Sequence, residues 1–137
     1  MNTSEPTGQG LHAPAYVQHP KLLAWVAEIA APLLVMPFRN EVLGRPGFLH
    51  GGAISGLLEV AAIVSLQHAL AEDGGGRIKP VNVTVDFMRG GRDKPTHAEG
   101  IVTRLGTRVA NVEAIAWQDD RDKPIAHARM NYLVVRD

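Results

Sequence analysis

Residues 53–71 form an apolar run interrupted only by Ser55, Glu59, Ser65, Gln67 and His68. Its apolar side chains lie all round a helix, so that helix must be enclosed by other structure and cannot rest on a surface. The run is just long enough to span a bilayer. Three features argue against a span: a carboxylate, Glu59, sits well inside it, no basic flank fixes an orientation, and the strand-like remainder of the chain needs this segment as its core. The run is therefore read as the central helix of a globular domain, with no membrane partner. It opens at His50-Gly51-Gly52 and continues to about Leu70, where Glu72, Asp73 and the glycines Gly74 to Gly76 end it.

The rest of the chain supplies the enclosure. Residues 33–38 read as a short strand whose Pro37 suggests an edge or a bulge, and residues 40–49, with Gly44, Pro46 and Gly47, read as a loop. Val81, Val83, Val85 and Phe87 alternate with Asn82, Thr84 and Asp86, and strands follow over 97–105, 108–118 and 125–135. Leu105-Gly106-Thr107 suits a tight hairpin and residues 119–124 a longer charged turn, which makes the last three strands an antiparallel meander. Upstream, Leu22, Leu23, Trp25, Val26 and Ile29 predict a short amphipathic helix over 17–29, stopped by Pro32, and residues 1–16 read as a flexible tail. The expected architecture is α+β, a single domain over 17–137 in which a curved antiparallel sheet wraps one long helix. Such a sheet leaves edges or a face to cover, so self-association is expected.

Composition narrows the function. In 137 residues, 14 Lys+Arg balance 14 Asp+Glu, which removes the electrostatic footprint of a dedicated nucleic-acid binder. The absence of cysteine removes a disulfide framework, a thiol nucleophile and a thiolate metal site. The first ten residues lack the basic-then-apolar pattern of a signal peptide, so a cytoplasmic location is expected. His12, His19, His50, His68, His97 and His127 form no pair at metal-ligand spacing on one element, and neither metal nor cofactor is expected. Gly52-Ala53-Ile54-Ser55-Gly56 has the wrong glycine spacing for a nucleophile elbow, and Gly74 to Gly76 lack the lysine of a phosphate loop.

Two features carry chemistry. His50-Gly51-Gly52 places free backbone N–H groups and the positive end of a helix dipole beside residues with no side chain to block approach. That arrangement suits an oxyanion or carbonyl-polarising site; the plainer alternative is a glycine-rich helix start needed for packing. Glu59 is the one charge between Gly47 and Ala71. If desolvated, its pKa rises toward the range useful to a general base or acid, and as a carboxylate it could equally be a nucleophile. The alternatives are a solvent-facing glutamate or one held by an arginine of the sheet. Eight residues separate Gly51 from Glu59, a rise of about 12 Å and a rotation of about 80°, so one helix cannot bring both to one reacting group. Two helices packed antiparallel across a two-fold axis can, giving two equivalent shared sites.

The segments FLHGGAISGLLEVAA, VNVTVDFMRG, TRLGTRVANVEAIAWQDD and PIAHARMNYLVV together resemble the hotdog-fold acyl-CoA thioesterases, in particular the phenylacetate-pathway and Arthrobacter-type 4-hydroxybenzoyl-CoA group. The resemblance covers about residues 33–135. It implies a five- or six-stranded antiparallel sheet around the long helix, a homodimer, and commonly a dimer of dimers. It also implies that the Gly51 amide polarises the thioester carbonyl while Glu59 of the neighbouring subunit acts as nucleophile or general base. His50 would shape the glycine turn or hydrogen-bond near the thioester, and Gly52 would line the substrate. The pantetheine arm would run between subunits, with phosphates meeting Arg89, Arg104 and Arg108.

This sequence departs from that pattern at two places. Gly44 stands where many members carry Asn or Gln, six residues before the histidine, and Pro80 stands where relatives carry Ser or Thr. The acid is Glu, as in the Arthrobacter-type enzyme, whereas much of the phenylacetate-type group has Asp. Thioester hydrolysis leads the readings. A non-catalytic acyl-CoA-binding dimer and a thioester dehydratase or hydratase are the alternatives. Ala53, Leu57, Ala62, Ile63, Phe87 and Met88 are candidates for the acyl pocket.

Overall fold

The computed structural model describes residues 27–30 and 33–136. Among these residues six strands form one sheet: β1 Ala27–Ala30, β2 Leu33–Met36, β3 Arg77–Phe87, β4 Thr96–Leu105, β5 Val109–Trp117 and β6 Ala126–Val135. A 3-10 turn, Asn40–Val42, precedes the helix α1, Gly51–Ala71. The strands run in the order β1-β2-β4-β5-β6-β3, every neighbouring pair antiparallel. This is the hotdog arrangement, α+β, with the sheet wrapped around α1.

Strict alternation builds the inner face of the sheet. Ala110, Val112, Ala114 and Ala116 on β5 and Ala126, Ala128, Met130, Tyr132 and Val134 on β6 are buried, while the residues between them face out. Small residues dominate that face where α1 crosses it. A Cβ placed on Gly100 of β4 would lie 2.3 Å from the Ala61 carbonyl oxygen, so the helix backbone rests directly on the strand. Leu57, Leu58, Ile63 and Leu66 of α1 are completely or almost completely buried. The run that by length and hydropathy could cross a membrane is therefore the core helix of this sheet.

Its ends are set locally. His50 caps the N-terminus, and at the C-terminus Gly75 donates its N–H to the Leu70 carbonyl at 2.7 Å with Gly74 and Gly75 at φ +88° and +79°. Arg136 then ties Asp73 to the β4–β5 hairpin, bonding the Asp73 carboxylate at 2.9 Å and the Gly106 carbonyl at 3.2 Å.

Two expectations need correction. Residues 27–29, expected at the end of a helix over 17–29, lie in β1, which pairs with β2 from Ala27↔Val35 to Ala30↔Leu33. Pairing with β2 satisfies backbone groups of that strand, and this non-local demand overrides the helical spacing. Residues 17–26 of that expected helix, and the expected tail over 1–16, lie outside the described residues. The strand expected from Val81 begins earlier, at Arg77, and contains Pro80. Proline is tolerated there because β3 is an edge strand and the pairing with β6 shifts register between Pro80 and Asn82, a bulge at Val81.

That edge leaves a mark on the surface. Val83, Val85 and Phe87 occupy the helix-facing side of β3, opposite Met130, Ala128 and Ala126, yet α1 lies chiefly over β4 and β5. Val83 stays 42% and Phe87 56% exposed, and Val81 and Met88 lie open beside them.

Candidate active site

The loop before α1 is a tight device for presenting the helix start. Gly44 donates its N–H to the Phe48 carbonyl at 2.8 Å, Phe48 to Arg45 at 3.0 Å, and Gly47 turns the chain at φ +81°. His50 N–H reaches back to Val42 at 2.9 Å. The guanidinium carbons of Arg45 and Arg92 stand 4.2 and 4.3 Å from the Phe48 ring centroid. Gly44 packs onto His50: a Cβ there would lie 3.0 Å from the His50 Cβ, a tight contact.

His50 is extended at φ −80°, ψ 150°, and its Nδ1 accepts the Ala53 N–H at 3.0 Å. A neutral ring accepting at Nδ1 carries its proton on Nε2. This cap uses the third amide of the helix and leaves the N–H groups of Gly51 and Gly52 without an intrahelical acceptor. Both glycines are exposed, and no acidic residue lies in the first turn to offset the dipole. A Cβ on Gly52 would lie 3.2 Å from His50 Nδ1, so a side chain there would press on the capping ring. Beside Gly51 stands the Phe87 ring, 3.4 Å from where a Cβ would be.

Glu59 lies two turns further along α1, with its Oε2 atom buried. It lines a cavity of about 230 Å³ with Val81 and Val83 of β3 and Met130 and Tyr132 of β6. Gly51 and Glu59 thus both sit along the flank of α1 that faces β3: the strand passes Glu59 at Val83 and Gly51 at Phe87. Four strand residues advance about 13 Å, matching the helical rise of about 12 Å between the two positions.

The arginines divide. Arg89 follows β3 at the Gly51 end, where its guanidinium donates to the Pro124 carbonyl at 2.8 Å. Arg104 and Arg108 flank the β4–β5 hairpin and line an open concavity with Thr107, Val109 and Asn111. That hairpin adjoins Asp73, beyond the C-terminus of α1, so the helix length of about 31 Å separates it from Gly51 within one chain. Of the pocket candidates, Ala53, Leu57, Ala62 and Ile63 are inside the core, whereas Phe87 and Met88 are more than half exposed. The residue missed from sequence is Tyr132. Its place in the inward series of β6 was the available signal: it is the one hydroxyl in that row.

The family model of the thioesterase superfamily matches residues 46–125. No curated protein is a match. Among solved structures, a Chromobacterium violaceum protein is 35% identical over 80% of this chain and 76% of its own, with a TM-score of 0.62. A Bacillus halodurans protein solved with CoA is 16% identical, covers 82% of this chain and 73% of its own, and has a TM-score of 0.72. A phenylacetic acid degradation-related protein from Ralstonia eutropha is 19% identical over 80% of this chain and 83% of its own, with a TM-score of 0.66.

Proposed function

The chain belongs to the thioesterase superfamily, and from that premise we propose that it hydrolyses an acyl- or aroyl-CoA thioester at sites shared between two copies. One observation carries the reading: two open backbone donors and a carboxylate lie along the same flank of one helix, too far apart to serve one carbonyl. An antiparallel pairing of two copies along β3 brings the glycine turn of each to Glu59 of the other. It also covers the exposed stripe of Val81, Val83, Phe87 and Met88, which a soluble monomer would leave wet. The CoA in the Bacillus relative supports CoA as the carrier.

In this reading the thioester oxygen accepts hydrogen bonds from Gly51 and Gly52, which stabilise the charge that develops on it as the carbonyl carbon is attacked. Glu59 of the second copy either takes a proton from the attacking water or attacks the carbon itself to form an anhydride that water then opens. In both routes the C–S bond breaks and the thiolate leaves to be protonated. Arg89, Arg104 and Arg108 are the proposed phosphate contacts, with Arg104 and Arg108 contributed by a different copy from the one whose Gly51 and Arg89 serve the site. A non-catalytic acyl-CoA-binding dimer is the second reading, favoured by the lack of polar side chains at Gly44 and Pro80.

Release of free thiol from short-chain, long-chain and aromatic acyl-CoAs, measured for the native chain beside Glu59→Gln, tests the proposal. Native turnover that falls by about a thousandfold in the variant, with the oligomer intact, is the expected result. Saturable acyl-CoA binding without turnover in the native chain would replace hydrolysis with the binding reading.

A further inference from the structure

The Glu59 cavity contains a group that the reading above does not use. Of the side chains around it, Pro80, Val81, Val83 and Met130 offer no hydrogen-bond donor. Asn82 does, but its Oδ1 accepts from Asn131 Nδ2 at 2.9 Å and belongs to a ladder of amides, Asn82, Asn131 and Asn111, on the outer face of the sheet. The remaining donor in the wall is the phenol of Tyr132.

Tyr132 is held firmly. It is 1% exposed, and it pairs across the sheet with Pro80, whose ring carries neither an N–H nor a hydroxyl. Within β6 its hydroxyl donates to the Met130 Sδ at 3.4 Å, and a thioether is a weak acceptor. A carboxylate is a far stronger one.

We propose that Tyr132 is a positioning residue for Glu59, its phenol donating a hydrogen bond to the carboxylate across the cavity that the two residues share. The bond selects one orientation of a side chain that otherwise has three torsions to choose from, and it favours the charged form of the acid, the form that serves as base or nucleophile. The donor enters from β6, the strand beside the one on which Pro80 offers none. The inference rests on the reading of Glu59 as the reacting acid.

The test is Tyr132→Phe, which keeps the ring and removes the oxygen. A donor to the ionised carboxylate holds its pKa down, so its loss raises the pKa and moves the acid limb of the rate profile to higher pH. The expected result is a fall of about tenfold in kcat, KM within twofold, and an acid limb displaced upward by about one pH unit. The Glu59 carboxyl, followed by carbon NMR in the substrate-free protein, moves in the same direction. Site-specific fluorotyrosine at position 132 guards against a variant that fails to fold: its more acidic phenol is a stronger donor, and the limb moves down. A merely structural role would alter stability and leave both titrations where they are, and that outcome overturns the inference. The two ideas fail separately, because full turnover by Glu59→Gln removes the reading of Glu59, whereas loss there with unmoved Tyr132 variants removes only this one.

Discussion

Over β4 and β5 the helix α1 lies on a floor of alanines, so close that the Ala61 carbonyl leaves no room for a methyl group on Gly100. Toward β3 the same helix stops short, and the strand keeps Val81 at 57%, Val83 at 42% and Phe87 at 56% exposure. The closed flank satisfies itself with residues of its own chain. The open flank carries the glycine turn, Glu59 and its cavity, and leaves apolar surface to be covered. One helix therefore divides its work by face, and the residues proposed for chemistry lie where the single chain is unfinished.

Substitutions can break this division in either direction. The largest stability effect belongs to the closed flank. In Gly100→Ala the new Cβ would lie 2.3 Å from the Ala61 oxygen and 2.8 Å from the Ser65 Cβ, so helix or strand must move. A loss of about 3 kcal/mol is expected, lowering the melting temperature by roughly 10 °C, with turnover per folded molecule little changed. A melting temperature within two or three degrees of the native value would show that the helix slides freely on its floor, and the contrast between flanks would lose its basis.

On the open flank the corresponding change is Val83→Lys, which puts a charge into the stripe proposed to meet a second copy. Sedimentation is expected to show monomers at concentrations where the native chain forms the proposed dimer, with thiol release reduced by about a hundredfold or more because each proposed site loses its second half. Ile101→Lys is the matched control. It is similarly exposed, at 40%, but lies on the outer face, and is expected to leave the two-copy unit and its turnover intact. Equal behaviour of the two variants would mean that exposure at β3 has no special meaning.

The same division explains which parts were legible in the sequence. The closed flank was readable because its signals are local: alternation along residues 97–135, hairpin chemistry at Gly106, and an apolar run too uniform for a surface helix. The candidate positions stand out for a related reason, since a histidine with two glycines and a lone carboxylate are conspicuous against such a run. What escaped depends on distant partners. Strand β1 was hidden behind a helical spacing that its pairing with β2 overrides. The separation of Arg104 and Arg108 from Gly51 follows from the direction of the meander, and the Arg136–Asp73 tie shows which end of α1 the hairpin reaches. Tyr132 could be assigned to the inner face by parity, but only the β3–β6 register puts it opposite Pro80 and beside Glu59.

The smallest expected effect sharpens the comparison where the two flanks meet, at the N-terminus of α1. His50 Nδ1 holds the Ala53 N–H at 3.0 Å, so His50→Ala removes a cap and is expected to cost about 1 kcal/mol of stability. His50→Asn keeps an acceptor at a position where asparagine is a favoured cap, and should recover most of that loss. The open flank adds a second readout. If the cap serves chiefly to aim the Gly51 and Gly52 amides, thiol release follows stability in both variants: reduced in the alanine form, largely restored by asparagine. If the imidazole also meets the thioester, asparagine restores melting without restoring turnover. Paired melting curves and thiol-release rates thus separate a histidine that shapes the turn from one that takes part in the reaction.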